Sequence, residues 1–182
     1  MKTLPRVHET RLVEPRFKIE QLDLEFSNGE RRTFERIHGS GRAVVVIVPL
    51  LDRDTVLLTR EYAAGLHRYE LGLPRGRIDP GESLLEGAER ELKEEIGYGA
   101  RELIPLRQLS LAPTYMTHVA HVVLARDLYE EKLEGDEPEE IEVVPFRLEN
   151  LHQLLMLEEF SEGRAMAALF LAREWLRREA GE

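Results

Sequence analysis

An α+β fold, a mixed sheet flanked by helices with a β appendage on its N-terminal side, is predicted by three features of this 182-residue sequence. Asn28-Gly29 stands between two runs rich in β-formers, a strong hairpin signal. Ala43 to Leu51 (AVVVIVPLL) is continuously apolar, as a central strand buried on both faces must be. Glu82 to Ile96 repeats its apolar residues at helical spacing between Pro80-Gly81 and Gly97.

Taken in order, Phe17 to Phe26 (FKIEQLDLEF) is a strand, Asn28-Gly29 a two-residue turn, and Glu30 to Ile37 the returning strand. Gly39-Ser40-Gly41 separates this hairpin from the central strand. Asp52-Arg53-Asp54 then turns the chain into a strand from Thr55 to Tyr62. Leu71 to Glu82 (LGLPRGRIDPGE) is rich in Gly and Pro and reads as a loop. The helix over Glu82 to Ile96 stops at Gly97 and Gly99, both suited to a C-cap. Strands follow at Leu103 to Leu111 and Val119 to Leu128, then an acidic loop, a strand at Ile141 to Leu148, and helices over Leu151 to Leu157 and Glu162 to Arg178. There is no internal repeat or long linker, so residues 42–182 read as one domain and residues 1–41 as its N-terminal β appendage.

Composition narrows the chemistry. A hydrophobic content of 42% supports a packed core, and zero Cys excludes disulfide scaffolds, thiolate metal sites and a thiol nucleophile. No apolar run is long enough to span a bilayer and MKTLPRVHETRLVEPRF has no signal-like core, so the expectation is a cytoplasmic protein with no membrane partner. The formal net charge of −10 repels nucleic-acid phosphates, which argues against nucleic-acid binding. The acids cluster in Glu82 to Glu95 and in Glu130 to Glu142, and two carboxylate groups of this kind suit a divalent cation such as Mg²⁺.

The helix sharpens this. With Leu84 at zero and about 100° per residue, Leu84, Ala88, Leu92 and Ile96 form an apolar stripe centred near about 70°. Glu91 and Glu95 fall at roughly −20° and +20°, one turn apart at the edge of that stripe, with Glu94 beside them. Like charges so placed repel, and desolvation adds to the cost, so a cation should sit among them. Arg90 lies at the wrong azimuth to neutralise all three. Gly76 and Gly81 let the preceding loop wrap the helix start, whose free N–H groups favour an anion such as phosphate. Phosphoryl chemistry follows.

The segment GRIDPGESLLEGAERELKEEIGY, Gly76 to Tyr98, resembles the signature G-x5-E-x7-R-E-U-x-E-E-x-G-U of the Nudix hydrolases, U being a bulky aliphatic residue. Gly76, Glu82, Arg90, Glu91, Leu92, Glu94, Glu95 and Gly97 match in register, and Tyr98 replaces the final aliphatic residue. LDLEFSNGERRTFERI, REYAAG, YELGLPRG, LEGDEPE and ALFLAREWL are similar to segments of the NudE-type ADP-compounds hydrolases, which are related to the ADP-ribose pyrophosphatases. Pro113 and Tyr115, beyond the box, match markers of enzymes of ADP-ribose and of diadenosine polyphosphates. The resemblance implies an α/β/α sandwich and a Mg²⁺-dependent (or Mn²⁺-dependent) pyrophosphatase. Its substrates would be ADP-ribose, short diadenosine polyphosphates or NADH, giving AMP and a phosphorylated partner.

By the same resemblance Glu91, Glu95 and Glu94 are metal ligands together with the backbone carbonyl of Arg75, while Gly76, Glu82, Arg90 and Gly97 shape and brace the box. The general base comes from the acidic loop, Glu139 ahead of Glu137. Arg36, Arg60, Glu70 and Tyr115 occupy places of substrate contact, and Tyr62 and Ala63 stand where related enzymes have Arg. The hairpin is implied to form a homodimer interface; an intrachain lid strand is the alternative. Two further functions remain open: hydrolysis of another nucleotide sugar such as GDP-mannose, and a non-catalytic nucleotide sensor. The six histidines show no metal spacing tied to the box; His118 and His121, three apart in one strand, face opposite ways.

Overall fold

The structure, a computed structural model, describes residues 2–11, 18–39 and 41–181. Strands β1 (Lys18–Glu25) and β2 (Arg31–His38) form the N-terminal hairpin. The expected start at Phe17 and the break at Ser40 lie outside the described residues. The turn is a three-residue loop rather than the expected two-residue one: Glu25 pairs with Arg31, Phe26 N–H donates to the Glu30 carbonyl, and Gly29 takes φ 82°. Only glycine enters that left-handed region without strain, and this places the extra residue there.

The domain proper is built on β3 (Val44–Pro49), β4 (Thr55–Ala63), β5 (Arg68–Gly72), β6 (Arg75–Arg77), β7 (Tyr98–Ser110), β8 (Val119–Glu130) and β9 (Glu142–Arg147). One sheet has the order β6-β3-β8-β7, with β3 and β8 parallel and the other pairs antiparallel; a second has the order β5-β4-β9. Every residue of β3 is buried, for a physical reason visible in its alternation. Val44, Val46 and Val48 face a core shared with α3 (Gly163–Glu179), where Ala165, Ala168, Leu169 and Ala172 bring the helix close. Val45 and Ile47 face α1 (Leu84–Glu95), against Ala88, Leu92 and Ile96. A strand covered by helices on both faces has no side left for polar residues, and each fully buried aliphatic side chain adds about 1.5–3 kcal/mol.

Four further expectations need correction. The stretch read as one loop from Leu71 contains the end of β5 and all of β6, a short strand paired with Val44–Val46 whose Gly and Arg residues carry no β signal. β7 begins at Tyr98, so Gly99 is a strand residue rather than a cap; a Cβ there would overlap the Tyr129 ring across the strand pair. The helix expected over Leu151 to Leu157 is a 3-10 turn (Leu148–Asn150) and one helical turn, α2 (Leu151–Leu154). His118 lies just before β8 rather than inside it. Among the described residues no helix is long and apolar enough to cross a membrane.

The hairpin meets the domain at its end. Ile37 donates to the Tyr115 carbonyl at 2.7 Å, and Thr117 returns a bond to the Ile37 carbonyl at 3.2 Å. Beyond that junction it presents apolar side chains to solvent: Ile19 is 57% exposed, Phe26 46% and Phe34 43%.

Candidate active site

Helix α1 begins with a full capping box: Glu86 N–H donates to Ser83 Oγ, and Ser83 N–H donates to the Glu86 carboxylate. Fixing this end matters because the functional residues follow at set azimuths from it. Gly97, at φ 75°, turns the chain away after Ile96. Ala88 and Leu92 point into the core, and Glu91 and Glu95 lie along the edge of the same stripe, 8% and 4% exposed.

Glu95 receives the backbone N–H of Arg75 at 3.0 Å. Burial pushes its carboxyl up to about 9, helped by the negative charges of Glu61 and Glu91 and opposed by that N–H and by Arg75. Glu91 is raised for the same leading reason, against the pull of Arg90, with Glu94 and Glu137 adding to the rise. Its carboxylate lies so close to β6 that any Cβ at position 76 would overlap it. Gly76 is therefore required by contact with Glu91 rather than by a positive φ.

Arg90 connects loop to helix. Its guanidinium binds Glu82 through Nε at 2.8 Å, the Arg77 carbonyl at 2.8 Å, Glu91 at 2.9 Å and Glu94 at 2.8 Å. Glu82 in turn accepts Asp79 N–H at 2.9 Å. So Arg90 reaches two of the three candidate metal ligands, Glu91 and Glu94, and leaves Glu95 aside.

A divalent cation suits this donor set. The oxygens are hard, Gly76 lets the Glu91 carboxylate lie against β6, and burial pushes Glu95 toward its neutral form despite the charge of Arg75. Among the described residues no three His, Asp or Glu side chains already converge as a metal cage. A metal would share Glu91 and Glu94 with Arg90.

The acidic loop leaves β8 and lies against the C-terminal end of α1: Glu131 N–H donates to the Gly97 carbonyl, Leu133 N–H to the Lys93 carbonyl, and Lys132 Nζ to the Glu94 carbonyl. Its two candidate glutamates part company. Glu137 and Glu94 flank Gly135, and the Glu137 charge reaches Glu91. Glu139 instead accepts the Tyr69 hydroxyl at 2.6 Å and pairs with Lys2 at 3.5 Å. That bond pushes the Tyr69 phenol up to about 12.

The residues expected at substrate contacts do not share one cavity. Arg60 pairs with Glu142 and Glu159 and lines a cavity of about 520 Å³ with Tyr69 and Lys2. Glu70, buried, holds Arg68 and Ser161 and lines a cavity of about 370 Å³ with Arg75 and Gly163. Arg36 pairs with Glu20 inside the hairpin and lines a third cavity with Pro113 and Thr114. Tyr115 is exposed and meets β2 through its backbone. Sequence reasoning passed over Glu61 and Tyr69. Glu61 lies in REYAAG between the positions that drew notice, and a lone Glu on a strand carries no periodic signal.

Comparison with known proteins identifies the family. Residues 41–169 match the NUDIX domain and residues 5–36 the NudE-type Nudix hydrolase N-terminal domain. The chain is 52% identical to the ADP compounds hydrolase NudE of Escherichia coli (strain K12), over 88% of this chain and 86% of that one. It is 30% identical to the ADP-ribose pyrophosphatase of Bacillus subtilis (strain 168), over 81% and 80%. A solved crystal structure of an ADP compounds hydrolase superposes with a TM-score of 0.84 at 48% identity, covering 98% of both chains. With the signature residues of its helix packed against β6 and both regions matched, the chain belongs to the Nudix hydrolase family and to its NudE type.

Proposed function

We propose that this enzyme hydrolyses the pyrophosphate of ADP linked to a second group, ADP-ribose, a short diadenosine polyphosphate or NADH, to AMP and a phosphorylated partner. The observation that carries this reading is the pair Glu91 and Glu95, buried one helical turn apart against β6, Glu91 at Gly76 and Glu95 on the Arg75 N–H. The similarity to an ADP compounds hydrolase and an ADP-ribose pyrophosphatase supplies the substrate class. Glu91, Glu95 and Glu94 with the Arg75 carbonyl would hold Mg²⁺, or Mn²⁺ in its place. A divalent ion there lowers the pKa of water, screens the anionic phosphates and stabilises the leaving phosphate.

The chain's own residues do the rest. Glu82 and Arg90 hold the loop on the helix and so fix the azimuth of Glu91. Glu137 is the general base we favour over Glu139, because it stands beside Glu94 while Glu139 is engaged by Tyr69 and Lys2. Arg60 and Glu70 each border a cavity, and these are where the nucleotide and its second group would lie. Arg36 and Tyr115 belong to the hairpin junction. The exposed Ile19, Phe26 and Phe34 support a homodimer formed through residues 1–41, which would carry Arg36 to the partner's pocket. Deleting residues 1–37 should then give a monomer by light scattering, and an unchanged dimer would refute the interface. A cytoplasmic setting accords with the cysteine-free chain.

The test is a panel of ADP conjugates digested with Mg²⁺ in ¹⁸O water. AMP with a phosphorylated partner is the expected result. Faster turnover of GDP-mannose would transfer the site to another nucleotide sugar, and binding without turnover would make it a sensor.

A further inference from the structure

Arg75 is held at both ends of its residue, and the two ends do different things. Its backbone N–H donates to Glu95 at 3.0 Å, on the side facing α1. Its guanidinium is bound by Glu61 of β4, with a weaker bond from Nη1 to the Leu73 carbonyl at 3.4 Å, and the charges of both Arg75 and Glu61 still reach Glu95. The seat for that guanidinium is built into the backbone: a Cβ on Gly72 would lie 3.0 Å from Arg75 Nη1, tighter than ordinary contact, so glycine leaves the room. β6 itself is fixed by pairing with β3 and by Ile47 N–H on the Pro74 carbonyl, so the backbone of Arg75 cannot follow its side chain. The pair is only partly exposed, Arg75 at 29% and Glu61 at 24%.

A free guanidinium on this residue would have two obvious places to go. Glu95 and Glu91 are buried carboxylates on the adjacent helix, and an unpaired cation beside them would be attracted strongly in a poorly solvated site. It would then occupy the oxygens that the proposed divalent ion needs. We infer that Glu61 is a positioning residue that holds the Arg75 guanidinium off the Glu91 and Glu95 oxygens, so that the chain's own cation does not compete for the metal site. Glu61 acts through Arg75 and need not touch substrate or ion. The inference rests on the reading of Glu91 and Glu95 as metal ligands, and it extends that reading to a residue outside the box.

The idea is tested without turnover, by titrating full-length metal-free protein with Mn²⁺ and counting free ion by electron paramagnetic resonance. Glu61→Gln should bind Mn²⁺ roughly tenfold more weakly, an effect of the size expected when a half-buried charge loses its partner. Adding Arg75→Gln to Glu61→Gln should restore the affinity to within about twofold, because the internal competitor is gone. Glu61→Asp, which keeps the charge, should lie between Glu61→Gln and wild type, and melting curves in EDTA confirm that each variant is folded. Unchanged affinity in Glu61→Gln overturns the inference. So does a double variant as weak as the single one, since that is the behaviour of a ligand or of a purely structural residue. A wild-type chain that takes up Mn²⁺ no better than Glu95→Gln overturns the metal reading itself and the inference with it.

Discussion

The two faces of α1 carry glutamates of opposite character. On the outer side Glu86 and Glu89 are held below the usual carboxylate range, Glu86 by the Ser83 N–H and hydroxyl, Glu89 by Tyr129 and Lys93. On the inner side Glu91 and Glu95 are pushed above it, chiefly by burial. Residue type and helix are the same, so the difference is environment alone. Outer acids gain hydrogen bonds and keep water; inner acids lose water and face other acids. Such inner carboxylates are what a site would retain, and this contrast sets the two proposed metal ligands apart from the acids around them.

Substitution breaks the contrast most directly. Glu95→Gln should cut kcat by three or more orders of magnitude (about 4 kcal/mol or more of lost transition-state stabilisation) while leaving the melting temperature of the metal-free protein at or above wild type. Glu89→Gln, on the same helix, should leave kcat within about twofold, since its partners are Tyr129 and Lys93 on the outer face. Equal losses in the two variants would erase the distinction between the faces.

A smaller effect sharpens the comparison within the acidic loop. Glu137→Gln should lower kcat by about 10²–10⁴-fold with little change in Mg²⁺ affinity, the usual worth of a general base. Glu139→Gln should cost less than about tenfold, through loosening of the Tyr69 and Lys2 contacts. Steady-state kinetics at saturating Mg²⁺ decides it. The more severe loss at Glu139 would return the base to the residue that the sequence pattern favours.

How much of this was legible in the sequence follows physical range. The helix, its azimuths and the burial of Glu91 and Glu95 are local: 3.6 residues per turn and a run of aliphatic residues determine them, and the structure puts both acids where that arithmetic does. The central strand was equally plain, because a strand covered on both faces can only be apolar. What escaped was non-local. β6 is a strand only because β3 offers it an edge, and nothing in RGR announces that. Arg90 was expected not to neutralise all three acids, and it does leave Glu95 aside; what azimuth alone does not show is that its long side chain reaches Glu91 and Glu94 while still holding Glu82. The sorting of Glu137 from Glu139 depends on Tyr69, some seventy residues away in the chain, and on Lys2 near its start. Glu61 became visible only once β4 brought it to Arg75.

The smallest effect is also the one whose sign is fixed most firmly. Glu95 titrates at about 9 in the folded chain against an ordinary 4.5, so between these values the folded state holds a proton that the unfolded state has released. Its contribution to stability is complete below about pH 4.5 and is lost progressively as the pH rises to about 9; Glu91 acts in the same direction. The lowered acids Glu82, Glu86 and Glu89 act in the opposite sense and only at acid pH, outside this window. His118, depressed by burial and by Arg164, loses stability as the pH falls through its range, so it partly masks the trend near neutrality. The difference between wild type and Glu95→Gln removes that masking. In EDTA the melting temperature of wild type should therefore fall relative to Glu95→Gln between pH 5 and 9. Mg²⁺ should reverse the fall in wild type alone, since a bound cation favours the carboxylate that burial disfavours, and its stabilisation grows as protons become easier to release. Parallel melting profiles for the two proteins, with and without Mg²⁺, would mean that the inner face of α1 is no different from the outer one.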